Sequence, residues 1–378
     1  MENKIRFLHT ADLPLGAAVS SSAAISAERR NEALLTLEKI FDIANVKDIP
    51  LLLFAGDLLE NNSVDPKYFE AFLRCVSDNS DKTVVFAAGN HDPLTANSPF
   101  LNYKLPKNLI VLDREDTEIQ LDTLPVRIYG RSFSSVYMQG KPNFSIPAKN
   151  DKCLNIMVLH GDIGYDLAGG YNTVTKGFIE MSGMDYIALG HVHSALPPQR
   201  INKTYFAYSG TPEPHGFDET GEKGVIIGEI GKTELKYEFL PVSRRTYETV
   251  EVDISGTDTG VAIAELVLSM LKDRYGEGFA DKLYKIILTG EIAEGVKIDT
   301  AEICTRLSPS LYFVKVRDNT RPLVNLDILK NENSLKGRFV ALMLEKIEAA
   351  AQSDKEKYKN ALNIGLKAFS AEVSYDEN

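Results

Sequence analysis

Up to about Leu240, apolar residues fall in short continuous runs closed by a glycine or a polar turn, with helical spacing between several of them. Ile5 to His9 predicts a strand, followed by a loop from Thr10 to Ser22. Ser26 to Val46 has the spacing of a helix, with Leu34, Leu37, Phe41 and Ala44 on one face. Pro50 opens a buried strand, Leu51 to Ala55, and a helix through Tyr68 to Val76 leads to the strand Thr83 to Ala88. Further strands are expected near Leu109 to Leu112, Arg127 to Gly130, Leu154 to Leu159 and Tyr186 to Leu189. From Thr204 the helices stop, and Tyr205 to Tyr208, Gly224 to Ile230 and Glu234 to Phe239 predict successive strands. The alternation predicts a layered α/β domain with its functional loops at the carboxyl ends of the strands.

The texture changes around Pro241 to Thr246. Beyond it, strands at Glu248 to Ile254, Lys282 to Thr289 and Leu311 to Val316 alternate with helices at Val261 to Tyr275 and Ala301 to Arg306. Two helical stretches follow, Leu335 to Ala350 and Asp354 to Ala371, ahead of a loose tail, Ser374 to Asn378. The expected organisation is a domain over 1–243, a smaller α/β domain over 247–325 and a helical pair over 330–373.

Composition narrows the class. A chain of 378 residues suits two domains, and 44% hydrophobic with 25% charged residues is ordinary for a water-soluble protein. No apolar run approaches the ~20 residues of a spanning helix, and Met1 to Arg6 lacks a signal-peptide core. A cytoplasmic protein with no membrane association is expected. Cys75, Cys153 and Cys304 are isolated and suit neither a disulfide framework nor a thiolate zinc site. The formal charge of −11 argues that any grip on DNA is modest, or is supplied by a partner.

The histidines carry the chemical signal. Of six in the chain, four directly follow apolar strands. Asp12 follows the first strand, Gly56-Asp57 the second, and Gly89-Asn90-His91-Asp92 the third. His160-Gly161 and Gly190-His191-Val192-His193 close two later ones. Glycines at such exits let the backbone turn sharply against a ligand. Carboxylate, imidazole and amide oxygen together suit manganese, iron or zinc. Two such ions ~3.5–4 Å apart can clamp a phosphoryl group and activate water. A lone Gly-Asp or His-Gly is weak; all of these motifs in this order are not.

In that order they resemble the signature of the calcineurin-like metallophosphoesterases. His9-Thr10-Ala11-Asp12 with Leu15-Gly16, and Tyr208-Ser209-Gly210-Thr211 with Phe217, Glu219 and Lys223-Gly224, resemble the SbcD/YhaO branch of DNA repair exonucleases. The resemblance implies an αββα sandwich with a smaller C-terminal α/β capping domain and terminal helices. It implies two divalent metal ions, of which Mn2+ is the first choice and iron or zinc the alternatives. Asp57 would bridge them, with Asn90, His160 and His191 completing the second site and Asp12 and His193 serving the first. His91 would meet the phosphate and protonate the leaving oxygen, with Asp92 orienting its ring. It also implies DNA as substrate, an SMC-like ATPase of the SbcC type as partner, and a homodimer. The segment Asp65 to Val76 could supply the dimer helix, or could equally pack within the chain.

Two positions depart from the family. Where a histidine is expected two residues after the first aspartate, the chain has Pro14, which carries no ligand atom. His9 should lie within the strand and is a poor substitute. Glu60 stands where several family nucleases carry histidine, and His215 lies in a Pro-rich loop that reads as surface, with a role near phosphate also open.

Three readings follow. One is a metal-dependent DNA nuclease, weakened or not by Pro14, whose helical pair grips an ATPase coiled coil through Phe339, Leu342, Met343 and Ile347. That stripe could equally pack on the chain's own second domain. Another is a phosphoesterase acting on a nucleotide or other small substrate. The last is a scaffold with decayed catalytic power, for which Pro14 is the support.

Overall fold

The computed structural model describes residues 4–17, 23–137, 152–164, 173–293, 296–323 and 326–369. The tail Ser374 to Asn378 lies outside them. The chain divides into two compact units, Met1–Thr246 and Tyr247–Asn378.

The first unit is a four-layer sandwich. In chain order its strands are β1 (Ile5–Thr10), β2 (Leu51–Phe54), β3 (Thr83–Phe86), β4 (Leu109–Val111), β5 (Thr117–Gln120), β6 (Val126–Gly130) and β7 (Leu154–His160). They continue with β8 (Ile163–Gly164), β9 (Val174–Thr175), β10 (Tyr186–Gly190), β11 (Leu196–Ile201), β12 (Thr204–Tyr208), β13 (Gly224–Ile230) and β14 (Leu235–Pro241). Its helices are α1 (Ala23–Val46), α2 (Pro66–Asp78), α3 (Pro99–Asn102) and α4 (Lys176–Met181).

Two six-stranded sheets result, ordered β14-β13-β1-β2-β3-β4 and β11-β12-β10-β7-β6-β5. In the first, β1 to β4 run parallel and β13 pairs antiparallel to β1. In the second, β6, β7, β10 and β12 run parallel. These central strands are buried along their whole length in β2, β7 and β10, which is why they read as unbroken apolar runs. Facing side chains of the sheets, among them Phe7, Leu53 and Val85 against Ile128, Ile156 and Ala188, close one core. Alternate residues of β1 to β3 point outward onto α1 and α2, where Leu37, Phe41, Phe69 and Phe72 cover them. On the far side Leu159, Ile187 and Leu189 pack under Ile179 of α4.

Two strands missing from the expectation are edges of the second sheet. β5 is half exposed, and β11 carries Pro197 and Pro198 and shifts register against β12. Proline and a polar face are what an edge strand tolerates, and they erase the apolar signature of a strand.

The second unit contains a parallel sheet β15 (Tyr247–Asp253), β16 (Leu283–Thr289) and β18 (Phe313–Asp318), with the short pair β17 (Glu291–Ile292) and β19 (Arg321–Pro322) beside it. Helices α5 (Gly260–Tyr275) and α6 (Thr300–Leu307) cover it through Ile263, Val267, Leu271 and Ile303. Thr259 caps α5 by accepting from Ala262 N–H. After α7 (Leu326–Leu329), α8 (Leu335–Ala349) packs on α9 (Gln352–Phe369). The apolar stripe of α8 is divided: Met343 is buried with Leu362 and Leu366, Phe339 meets the Phe369 ring, and Leu342 stays 53% exposed.

Candidate metal centre

Each site residue stands at the end of a central strand or a few positions beyond it. β1 delivers Asp12, β2 Asp57, and β3 the run Asn90 to Asp92; from the other sheet, β7 ends at His160 and β10 leads to His191 and His193. Both sheets therefore empty into one place. The backbone there is strained: Asp12, Asp57 and His191 have φ of 54°, 51° and 96°, a region non-glycine residues avoid. Such strain persists only where the surroundings enforce it, and it concentrates at functional sites. Asp12 N–H donates to Gly56 O at 3.0 Å, and the Asp12 carboxylate accepts from His191 N–H at 3.0 Å, so the exits of the two sheets brace each other. Gly89 is required by contact: a Cβ there would lie 2.1 Å from Asp57 Oδ1.

Four donor atoms converge. His160 Nε2 lies 3.2 Å from Asp57 Oδ2 and 3.0 Å from Asn90 Oδ1, and His191 Nδ1 lies 3.2 Å from the same Asn90 oxygen. Among the described residues, ligand atoms of Asp57, His160 and His191 all fall within 4.8 Å of one another. The far nitrogen of His160 hydrogen-bonds the Ala55 carbonyl at 2.9 Å, which places a proton on Nδ1 and turns Nε2 to the cluster. Buried oxygens and imidazole nitrogens facing one another at such distances are reconciled by a cation, and this donor set fits a divalent one of borderline hardness.

The electrostatics agree. Burial pushes the Asp12 carboxyl up to about 6. His160 is buried, which opposes its charge, yet the carboxylates of Asp57 and Asp12 carry it up to about 9. Asp57 is held below its ordinary range against its own burial by His160. Burial and the neighbouring His160 lower His191. A cation entering here competes with a proton on His160.

The structure does not give Asp92 the part of orienting the His91 ring. Its carboxylate, fully buried, instead accepts from the backbone N–H of Leu58 (2.7 Å), Gly89 (2.8 Å), Leu59 (3.2 Å) and Asp57 (3.3 Å). Asp92 thereby ties the exit of β2 to that of β3. The His91 ring is held by the Glu60 carbonyl, 3.0 Å from Nδ1, while His91 N–H donates to Asp57 Oδ1 at 2.9 Å.

Asp12 and His193 are brought near the cluster less tightly. Asp12 Oδ1 is 4.0 Å from His160 Nδ1, and the His193 ring nitrogen Nδ1 pairs with Glu219. His9 is a core residue, as its place within β1 suggested: Nδ1 meets Tyr186 Oη at 3.0 Å, Nε2 meets Leu189 O at 3.1 Å, and burial lowers it to about 3. His215 is only partly exposed, because its N–H donates to Glu219 at 2.7 Å. Pro14 lines a narrow cleft with Arg29, Arg30, Glu213 and His215. Asp162, 3.5 Å from His191 Nε2, escaped the motif reading, since an aspartate two positions after a strand-end histidine has no spacing signal of its own.

The family model for the calcineurin-like phosphoesterases matches residues 5–195, a span that holds every one of these strand-end motifs. The chain belongs to that family. Among curated members of the family, it is 25% identical over 285 residues to the uncharacterized metallophosphoesterase YhaO of Bacillus subtilis (strain 168), covering 71% of this chain and 67% of that protein. It is 23% identical over 366 residues to the DNA double-strand break repair protein Mre11 of Methanopyrus kandleri, covering 88% and 75%. It is 25% identical over 271 residues to the D component of the SbcCD nuclease of Bacillus subtilis (strain 168), covering 59% and 66%. As in other metallophosphoesterases, divalent cations are the cofactors that this donor set accommodates.

Proposed function

We propose that the chain is a metal-dependent phosphodiesterase that cleaves DNA, an exonuclease acting in repair together with an SMC-like ATPase. The convergence of Asp57, Asn90, His160 and His191, with His91 exposed at its rim, is the observation that carries this reading. The relatives named for nuclease and double-strand break repair activity support the choice of substrate.

Asn90, His160 and His191 would hold one ion, Asp12 and His193 the other, and Asp57 both; Mn2+ is the first candidate. Bound ions would supply Lewis-acid polarisation of the phosphoryl oxygens and an acidified water. The remaining chemistry belongs to the chain. His91 is exposed, and the 3.0 Å contact of Nδ1 with the Glu60 carbonyl fixes the ring so that Nε2 is the nitrogen left to face a substrate. Nε2–H is then free to pass its proton to the leaving oxygen. Asp92 keeps Asp57 and His91 in register by gripping both loops from behind. The acidic balance of −11 fits a protein whose ATPase partner supplies much of the DNA contact. In the same reading residues 247–325 form a capping domain, 330–373 carry the ATPase contact, and two chains pair as a homodimer.

Pro14 favours a second reading, a scaffold of reduced activity, because the first ion loses one protein ligand there. Mn2+-dependent cleavage of linear duplex DNA by this protein, Pro14→His and His91→Ala separates the two. Comparable His91-dependent cleavage by the parent and by Pro14→His establishes a working nuclease. Activity confined to Pro14→His assigns a binding role, and silence from both refutes cleavage by the isolated chain.

A further inference from the structure

The segment that follows β12 closes around one residue. Thr211 N–H donates to the His193 carbonyl at 3.1 Å, and Lys223 Nζ reaches the same oxygen at 3.5 Å. Gly210, at φ +70°, runs so close that a Cβ there would lie 2.8 Å from that carbonyl. The Glu219 carboxylate completes the enclosure. One oxygen hydrogen-bonds His193 Nδ1, and the other accepts from His215 N–H at 2.7 Å. Glu219 is 7% exposed while the His193 side chain is 43% exposed, so a buried carboxylate holds a ring whose other edge stays open.

The segment is itself anchored. Glu213, 1% exposed, accepts from Arg29 Nη2 at 2.6 Å, Thr36 Oγ1 at 2.7 Å and Arg244 N–H at 2.8 Å. A buried carboxylate with several donors is a rigid fixture. Glu219 is thus presented to His193 from a segment tied to α1.

An acceptor at Nδ1 keeps the ring proton there and leaves the lone pair on Nε2. A carboxylate in that place also raises the basicity of the ring as a ligand. We propose that Glu219 is a positioning residue that sets the tautomer and direction of His193 for the first metal site. The proposal rests on the reading of His193 as a ligand of that site. Its weight here follows from Pro14: with no ligand atom at that position, the first ion depends more heavily on His193 and on whatever fixes it.

The test is Mn2+ calorimetry on the full chain and on His193→Ala, Glu219→Ala and Glu219→Gln, with thermal melting of each. His193→Ala should remove one binding event. Glu219→Ala should weaken that same event about 10–100-fold and leave the other in place. Glu219→Gln, which keeps an acceptor oxygen, should lose less. Imidazole 15N spectra should report the Nδ1–H form of His193 in the parent and in Glu219→Gln. If Glu219→Ala does not fold, the Gln variant and its spectrum decide.

An unchanged first event in Glu219→Ala, beside a lost one in His193→Ala, overturns the proposal and spares the ligand reading. So does an Nε2–H tautomer in the parent. Equal weakening of both events with a lowered melting temperature makes Glu219 merely structural. Unchanged Mn2+ binding by His193→Ala overturns the ligand assignment itself, and the proposal falls with it.

Discussion

Replacing Asp92 with alanine separates its two possible roles, because loss of a loop tie and loss of a ring-orienting group leave different traces. The substitution strips an acceptor from three firm backbone donors, Leu58, Gly89 and Leu59, at 2.7, 2.8 and 3.2 Å. A buried donor left without a partner costs ~1–3 kcal/mol, so the loss is roughly 3–9 kcal/mol. Against it stands the relief of a buried charge. Burial first, then Asp57, raises the Asp92 carboxyl from 3.8 to about 6, so holding it ionised at neutral pH costs ~3 kcal/mol. The net expectation for Asp92→Ala at pH 7 is a destabilisation of about 3 kcal/mol. At 2–4 °C per kcal/mol for a domain of this size, the melting temperature should fall by roughly 6–12 °C.

The sign of the pH dependence follows from the raised folded value. Between the unfolded 3.8 and the folded value of about 6 the native state binds more protons. Its contribution to stability is therefore fully present below the window and declines as pH rises through it. The deficit of Asp92→Ala relative to the parent should widen by up to ~3 kcal/mol between pH 7 and pH 4. Thermal and denaturant unfolding at several pH values reads this directly. An unchanged melting temperature with only turnover reduced would refute the loop-tie reasoning and return Asp92 to His91.

Metal affinity should be steeply pH-dependent, because a cation must displace the His160 proton at any pH below about 9 and an Asp12 proton below about 6. Each unit of pH lost costs ~1.4 kcal/mol, or tenfold in Mn2+ affinity, in the first range and more in the second; a flat titration from about pH 8 to about pH 5 would contradict imidazole ligation. His91→Ala should leave Mn2+ binding within about twofold while reducing cleavage by ~10²–10⁴; metal lost along with activity would mean His91 is a ligand. Gly89→Ala places a methyl 2.1 Å from Asp57 Oδ1 and must displace that carboxylate, so Mn2+ affinity should drop at least ~10-fold. Unaltered affinity would show that Asp57 has another rotamer able to serve.

The strands of the sandwich and the residues at their ends were legible in the sequence because burial on both faces makes a strand a local composition signal. β2, β7 and β10 carry that signal with no help from their neighbours. The glycines before Asp57, Asn90 and His191 mark turns for the same local reason. Local pattern could not say that β1 to β3 and β7 with β10 belong to different sheets, because strand pairing is a long-range choice. Nor could it tell that Asp92 faces backbone N–H groups rather than His91, since a side chain's partner depends on which loops the fold brings beside it. The same holds for His193. Sequence places it two residues past His191, but only the fold shows that Glu219, from a segment beyond the next strands, meets its Nδ1. Residue types and their order along the chain follow from local chemistry; directions and partners appear only once two separately wound sheets close on each other.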